Sequence, residues 1–386
     1  MIGKIGDFFR REGFLLGLIG LFLLLYFSLR PPFEEVIKGV DWRSLGGLGL
    51  ILLFTQGLKE SGFFETLERG ILKLFSTPRG MGLALVGTTF LLSPLLTNDI
   101  TLIIIVPLTL QLEKVFGKSV VPLIFLEAFS ANLGSGVSPI GNPQNLYLYL
   151  QSGLHFWEFL KIMVPAMGVP MVGILLLTAL LLEGKGENRE RKGEKEKAPS
   201  LTYSSFKQFF FFSQGVRWRL ALGSLLGIVG VIVGMEAKME WIIWVGVPFY
   251  LWKFPQLAFK IDWGILGIFL FIFLDCALIL KFPLLPHLFA FFPSTSTGLY
   301  FQTLLLSQFI SNFPATILLS HFSTSPIPLL YGADLGGNGS LISSLANIIA
   351  LRYLNRRGVF LKFHLYSLPL LGSSALWGWW LLQIWV

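Results

Sequence analysis

The sequence predicts an all-α polytopic membrane protein: an inverted-repeat assembly with two re-entrant hairpins and two broken transmembrane helices. Three observations carry that prediction. First, 54% of the 386 residues are hydrophobic and only 13% are charged, which is too apolar for a soluble chain of this length. Second, apolar stretches recur at or near the ~20 residues a helix needs to cross the hydrocarbon. Third, a polar break, Leu95-Leu96-Thr97-Asn98-Asp99, interrupts the apolar stretch Gly80–Leu112, and Phe309-Ile310-Ser311-Asn312-Phe313 interrupts another. Irregular backbone at membrane depth is tolerated only where it faces protein or a water-filled cavity. A break that occurs twice therefore marks two candidate cavity walls, the arrangement a secondary transporter needs.

The elements follow in order. Gly13–Ser28 lacks a small-residue cleavage site after its apolar run and reads as a retained helix. Leu45–Leu58 returns across the bilayer. Glu60–Ser76 separates charges from an apolar face (Phe63, Phe64, Leu67, Ile71) and reads as an interfacial helix. Gly80–Leu112 is the first hairpin. Val120–Leu150 crosses with a break at Gly134–Gln144, and Trp157–Leu182 returns. Glu183–Pro199 is dense in Glu, Lys and Arg without apolar periodicity, a solvated linker. Val216–Gly234, Trp241–Trp252 and Trp263–Leu280 then cross, and Phe282–Phe292 is the counterpart of the interfacial helix. Thr297–His321 is the second hairpin, Leu329–Leu351 crosses with a break at Asp334–Ser340, and Leu361–Val386 exits. The expected organisation is a first half over 1–182, a linker over 183–202 and a second half over 203–386.

The repeat shows in three blocks that keep their order. Asp41-Trp42 matches Asp262-Trp263. Leu91-Leu92-Ser93 and Asn98 match Leu305-Leu306-Ser307 and Asn312. Ala131, Leu133, Gly134, Ser138, Ile140 and Asn145 match Ala333, Leu335, Gly336, Ser340, Ile342 and Asn347. Charge orients the path. With a cytoplasmic N-terminus and an external C-terminus, only Arg30, Lys38, Arg43, Lys161, Lys238 and Lys281 of the 30 Lys and Arg fall outside. That is the positive-inside bias, and it turns the two repeats over relative to each other. It also accounts for the net charge of +8 without nucleic acid as a partner. The partners expected are a small anion, the lipid bilayer and a second copy in a homodimer. The membrane is expected to be the inner membrane of a prokaryotic cell.

The breaks supply the polar chemistry. Thr97 and Asn98, with Ser311 and Asn312, sit at the hairpin tips, where each following half-helix turns its positive end toward mid-bilayer and favours an anion. Asn98 can also cap the arm starting at Ile100. Pro314 suits the first turn of the second arm. In the long breaks, Asn142 and Asn338 are candidate substrate ligands. Ser135, Ser138, Gly141 and Ser340 are candidates for a coupling ion or its path. Asp99, Glu127, Asp275 and Asp334 are acids in apolar stretches that hold no Lys or Arg. Such carboxylates are costly unless protonated, cation-bound or hydrated, and Asp99 and Asp334, being at breaks, are the candidates for coupling charge. No metal or cofactor is expected. The four His are scattered, Cys276 has no partner, and Gly117-Lys118-Ser119 lacks the first Gly of a phosphate-binding loop because Leu112 stands there. An enzyme is not expected.

These segments resemble a known group. Leu95-Leu96-Thr97-Asn98-Asp99 with the following Ile/Leu run and Pro107 is similar to the hairpin of arsenite efflux permeases. Ser138-Pro139-Ile140-Gly141-Asn142-Pro143-Gln144-Asn145-Leu146 is similar to a segment of citrate-transporter-like permeases. Ser311-Asn312-Phe313-Pro314-Ala315-Thr316 and Gly336-Gly337-Asn338-Gly339-Ser340-Leu341-Ile342 resemble their second-half counterparts. The set resembles the ion transporter superfamily, which includes arsenite permeases, NhaD-type sodium/proton antiporters and sodium/dicarboxylate symporters. The resemblance implies a scaffold part, a moving transport part and an elevator-like movement. The dicarboxylate symporters carry Ser-Asn-Thr at both tips; here the third positions are Asp99 and Phe313. The expected function is secondary transport of a small carboxylate or oxyanion coupled to H⁺ or Na⁺. A Na⁺/H⁺ antiporter and an arsenite-type efflux permease are the alternatives.

Overall fold

The computed structural model describes residues 2–64, 66–67, 70, 77–116, 119–183, 215–238, 241–285, 295–323, 325–354 and 358–385. Among the described residues the chain is helical throughout. In order the helices are α1 (Ile2–Leu29), α2 (Phe33–Lys38), α3 (Trp42–Glu60), α4 (Pro78–Leu96), α5 (Asn98–Phe116), α6 (Val121–Gly136), α7 (Pro143–Ser152), α8 (Phe156–Glu183), α9 (Trp218–Glu236), α10 (Trp241–Lys253), α11 (Gln256–Lys260), α12 (Trp263–Ile279), α13 (Ser296–Ile310), α14 (Asn312–Ser320), α15 (Pro326–Gly336), α16 (Leu345–Leu354) and α17 (Val359–Trp385). By length and apolar composition α4, α8, α9 and α17 are each able to cross a membrane, which with the shorter apolar helices makes this a polytopic membrane protein. Large apolar side chains such as Leu91, Leu226, Phe309 and Leu365 are exposed on its surface, as lipid-facing side chains are.

Matched positions of the repeat have matched geometry. Thr77 and Thr295 cap α4 and α13, accepting the N–H of Gly80 and of Gly298 at 3.1 Å each. The first pair of arms, α4 and α5, folds back at Thr97, with φ 73° and ψ 155°; α13 and α14 fold back at Ser311, with φ 74° and ψ 156°. That region belongs to Gly, and a residue with a Cβ held there stores roughly 1–3 kcal/mol. Asp41 and Asp262 likewise cap α3 and α12, accepting from Ser44 N–H at 3.1 Å and Ile265 N–H at 3.2 Å.

The halves interlock rather than lie side by side. α6 packs into the first hairpin and α15 into the second, while α16 crosses to α5 and α6 and α7 crosses to α14 and α15. A second group, α1 with α12 and α3 with α9, flanks this assembly and touches it through α3 against α7 and α12 against α14. Phe313 fills that seam, with its ring centroid 5.1 Å from Phe269 and 5.4 Å from Phe273.

Two boundaries differ from the sequence reading. The first break was placed at Gly134–Gln144, but α6 continues through Gly134, Ser135 and Gly136, and the break spans 137–142. The second was placed at Asp334–Ser340, but Asp334 lies inside α15 and the break runs from 337 to 344. Glycine penalises a helix by only ~1 kcal/mol, and here its small size is used for packing. A Cβ on Gly134 would stand 2.3 Å from the carbonyl oxygen of Phe90, and one on Gly336 would stand 3.2 Å from that of Leu304. The linker 183–202, apart from Glu183, and residues 117 and 118 lie outside the described residues, as do 71–76 of the interfacial helix and 286–292 of its counterpart.

At one end of the molecule Glu236 at the end of α9 ties down the turn before α8. Its carboxylate accepts from the Phe156 N–H at 2.9 Å and from the Tyr149 hydroxyl, and it pairs with His155 Nδ1 at 2.8 Å. The hydrogen bond and charge of Glu236 raise the His155 pKa above 6.5. A raised His pKa contributes stability that is complete below 6.5 and lost as pH climbs through the folded value. Thermal unfolding in detergent should therefore show a loss of melting temperature on the alkaline side that His155→Ala removes. An unchanged alkaline limb in that variant would refute the assignment.

Candidate functional site

The tips converge on one cavity. Asn98 and Asp99 reach it from the first hairpin, Ser311 and Asn312 from the second, Gln144 from the start of α7 and Ser344 from the second break. Its volume is about 210 Å³, and Phe14, Ile268, Phe269, Ile272 and Phe309 make much of its apolar wall. No Lys, Arg or His is among the described residues that line it. The N-terminal ends of α5 and α14 both begin at cavity-lining residues, Asn98 and Asn312. Their partial positive ends are the site's fixed positive potential. Opposed to them is Asp99, 6% exposed, whose Oδ1 has no hydrogen-bond partner among the described residues.

At each tip the Asn side chain serves its own turn. Asn98 Oδ1 accepts from Asp99 N–H at 3.0 Å and Asn312 Oδ1 from Phe313 N–H at 2.9 Å. Asn98 therefore does not cap an arm starting at Ile100: the helix begins two residues earlier, with Asn98 as its first residue. The tips are anchored differently. Asn312 N–H donates to the carbonyl of Ser343 at 2.9 Å, within the same half. Asn98 instead sends its amide Nδ2 to Asn132 Oδ1 at 3.1 Å.

Asn132, which sequence reasoning passed over, is the hub. It lies in α6 and is 3% exposed. Its Oδ1 also accepts from Ser344 at 2.9 Å. Its Nδ2 points at three acceptors of the second half: Gly337 O at 3.1 Å, Asn338 Oδ1 at 3.3 Å and Asn347 Oδ1 at 3.0 Å. The matched position is Asp334, whose Oδ1 accepts from Asn142 at 2.9 Å and Gln144 at 3.0 Å, across the halves in the opposite sense. The available signal was the third repeat block itself, in which Asn132 stands opposite Asp334 as polar against polar. Gln308 was also missed. It binds Ser340 N–H at 2.7 Å and Gly336 O at 2.9 Å and holds the second break onto its hairpin, a role Pro94 at the matched position of the first hairpin cannot play.

The other predicted residues build the breaks. Asn142 caps α7 by accepting Asn145 N–H at 2.9 Å. Ser135 donates to Asn132 O at 2.9 Å, and Ser138 accepts Ile140 N–H at 3.3 Å. Gly141 packs on the backbone of Ser135, and Ser340 donates to Gln308 O at 2.8 Å. Asn338 receives Asn132, and its own Nδ2 has no partner among the described residues. Thr97 forms the first bend. Three of the four candidate acids lie outside the cavity lining: Asp334, Glu127, bound by Thr109 at 2.5 Å, and Asp275, whose two oxygens have no hydrogen-bond partner among the described residues.

Comparison with known proteins agrees with this architecture. A family model described as Citrate transporter matches residues 13–325. The chain is 34% identical over 372 residues to Inner membrane protein YbiR of Escherichia coli, covering 96% of this chain and 95% of that one. It is 31% identical over 340 residues to an uncharacterized transporter of Methanocaldococcus jannaschii, covering 87% of each. A segment of 168 residues, 44% of this chain and 34% of the relative, is 31% identical to a silicon efflux transporter of Oryza sativa subsp. japonica. With helices of membrane-crossing length, paired polar tips meeting in one cavity and a family match over most of its length, the chain belongs to the citrate transporter family of membrane transporters, within the ion transporter superfamily.

Proposed function

We propose that this protein is a secondary active transporter of a small carboxylate or oxyanion, driven by H⁺ or Na⁺. The observation that carries the reading is the meeting of both hairpin tips, with both half-helix N-termini, in one base-free cavity between two halves of matched geometry. Asn98, Asn312, Ser311 and Ser344 offer hydrogen bonds to the substrate. The helix ends supply positive potential, and Asp99 and Asp334 carry the coupling charge. The halves 1–182 and 203–386 flank the linker 183–202, and the Lys and Arg distribution supports a cytoplasmic N-terminus and an external C-terminus. The resemblance to elevator-type carriers supports movement of the interlocked hairpin assembly against the α1, α3, α9 and α12 group, in a homodimer.

The test is accumulation in proteoliposomes under an imposed proton or sodium gradient, with citrate, succinate, arsenite, silicic acid and phosphate as trial solutes. At least one solute should be concentrated above equilibrium. Asn98→Ala and Asn312→Ala should each lower that rate by about ten- to a hundredfold, the cost of one hydrogen bond to a charged group. Wild-type rates in both variants would show that the binding site is elsewhere. A Na⁺/H⁺ antiporter is the second reading, favoured by the unpartnered Asp99 oxygen in the cavity. It requires that a Na⁺ gradient alone shift internal pH with no trial solute present.

A further inference from the structure

The two halves differ at one atom of their central side chains, and that difference locates a proton. Asn132 and Asp334 occupy matched positions, as do Ser344 and Asn142, and Asn347 and Asn145. Asn132 Oδ1 accepts from Ser344 at 2.9 Å, and Asp334 Oδ1 accepts from Asn142 at 2.9 Å. Asn347 Nδ2 donates to the carbonyl of Ser340 at 3.1 Å, and Asn145 Nδ2 to that of Ser138 at 3.3 Å. The correspondence fails at the second atom of the central side chain. Asn132 Nδ2 donates to Asn347 Oδ1 at 3.0 Å. In the other half the matched atoms are Asp334 Oδ2 and Asn145 Oδ1, two buried acceptors, and neither has a hydrogen-bond partner among the described residues. Asp334 is 2% exposed and Asn145 is fully buried.

We infer that Asp334 Oδ2 is the coupling-proton site, with Asn145 Oδ1 as the acceptor of its O–H, one proton per transport cycle. A protonated carboxyl has the planar shape of a carboxamide and, unlike the carboxylate, one O–H to donate, so with that proton on Oδ2 the second half reproduces the bond the first half builds permanently between Asn132 and Asn347. The bond it reproduces, Asn132 Nδ2 to Asn347 Oδ1, is 3.0 Å between heavy atoms, the spacing of one shared hydrogen. The proton arrives from water on one side, forms the O–H bond at Oδ2 and leaves to water on the other; no other bond changes. Helices α6, α7, α8, α13, α14 and α17 pack against α15, and the side-chain neighbours of Asp334 are the amides of Asn142, Gln144 and Asn145. The titratable groups on those helices are engaged elsewhere: Glu127 by Thr109, Tyr147 by Ser320, Tyr149 by Glu236, Tyr300 by Ala375 O and His364 by Phe360 O. Glu158, Lys161 and Lys362 on them are exposed, and Tyr366 is half-buried against Phe125. Tyr331, on α15 itself, donates to Ile162 O at 2.9 Å.

This rests on the proposed transport reading for its coupling role, but its chemistry is testable without a substrate. Purified wild type and Asp334→Asn are compared by infrared difference spectroscopy across a pH jump in sodium-free buffer. The wild type should lose one protonated-carboxyl band that Asp334→Asn lacks, and added Na⁺ at fixed pH should leave that band unchanged. Asn132→Asp, which recreates the facing acceptors in the first half, should add one such band and keeps the test decisive if Asp334→Asn does not fold. A band unaltered by Asp334→Asn, no band gained in Asn132→Asp, or a band removed by Na⁺ overturns the inference. In proteoliposomes holding a pH dye, acid-driven citrate uptake should carry protons in the wild type, and Asp334→Asn should exchange citrate without moving protons. Should the wild type move none of the trial solutes while the infrared result holds, the transport reading fails and the proton site stands.

Discussion

Asn132→Leu is expected to abolish transport and to destabilise the fold by roughly 2–4 kcal/mol. The variant keeps the branching and heavy-atom count of the side chain and removes every hydrogen bond of the hub. Single interhelical hydrogen bonds in membrane proteins contribute ~0.6 kcal/mol on average and up to ~1.7. Asn132 joins Asn98, Ser344 and three acceptors of the second half, Gly337, Asn338 and Asn347, so the sum reaches a few kcal/mol. The functional loss should be the larger effect. Asn98 and Ser344 both line the cavity, and both are held in place by Asn132 Oδ1. A displacement of ~1 Å in a positioned group lowers rates by about a hundredfold. Melting in detergent and accumulation in proteoliposomes check the two parts separately. A variant that transports normally would remove Asn132 from the centre of the site.

Gly134→Ala should be far more damaging than Gly336→Ala, although the two positions are matched. The added methyl at 134 would meet the Phe90 oxygen at 2.3 Å and its carbonyl carbon and Cα at 2.9 Å each. Those are backbone atoms of α4, so no rotamer change relieves the clash, and the first hairpin must move off α6. Overpacking of this kind costs about 3 kcal/mol or more. At 336 the nearest atoms, Leu304 Cα and O, stand at 3.2 Å, and a shift of a few tenths of an ångström suffices, at about 1 kcal/mol. Yield of monodisperse protein and melting temperature distinguish the two. Equal tolerance would mean that α4 and α6 are not in the close contact described.

Much of the architecture is legible without coordinates, and for local reasons. Membrane helices are read from runs of apolar residues, and both hairpin bends from Thr97-Asn98 and Ser311-Asn312 inside such runs, because each signal lies within a few neighbouring residues. The matched caps at Asp41 and Asp262 are local in the same way. The breaks were placed too early for a related reason. Gly134, Gly136 and Gly336 read as helix breakers by propensity, yet the helix continues through them because a neighbouring backbone approaches where a side chain would otherwise stand.

The sequence by itself determined that the chain lives in a bilayer, that it bends twice at Thr-Asn and Ser-Asn tips, and that its polar blocks come in pairs. Only the tertiary structure decided that Asn132 ties the first tip to the second break, that Asp334 keeps one buried oxygen with no hydrogen-bond partner among the described residues, and that Ser138 and Ser340 build turns while Gln144 and Ser344 line the cavity. The bonds of Asn132 to the second half span 205 to 215 residues of chain. Composition and periodicity report what a residue does to its own turn of helix, whereas the partner of a buried amide is set by which distant helix packs against it.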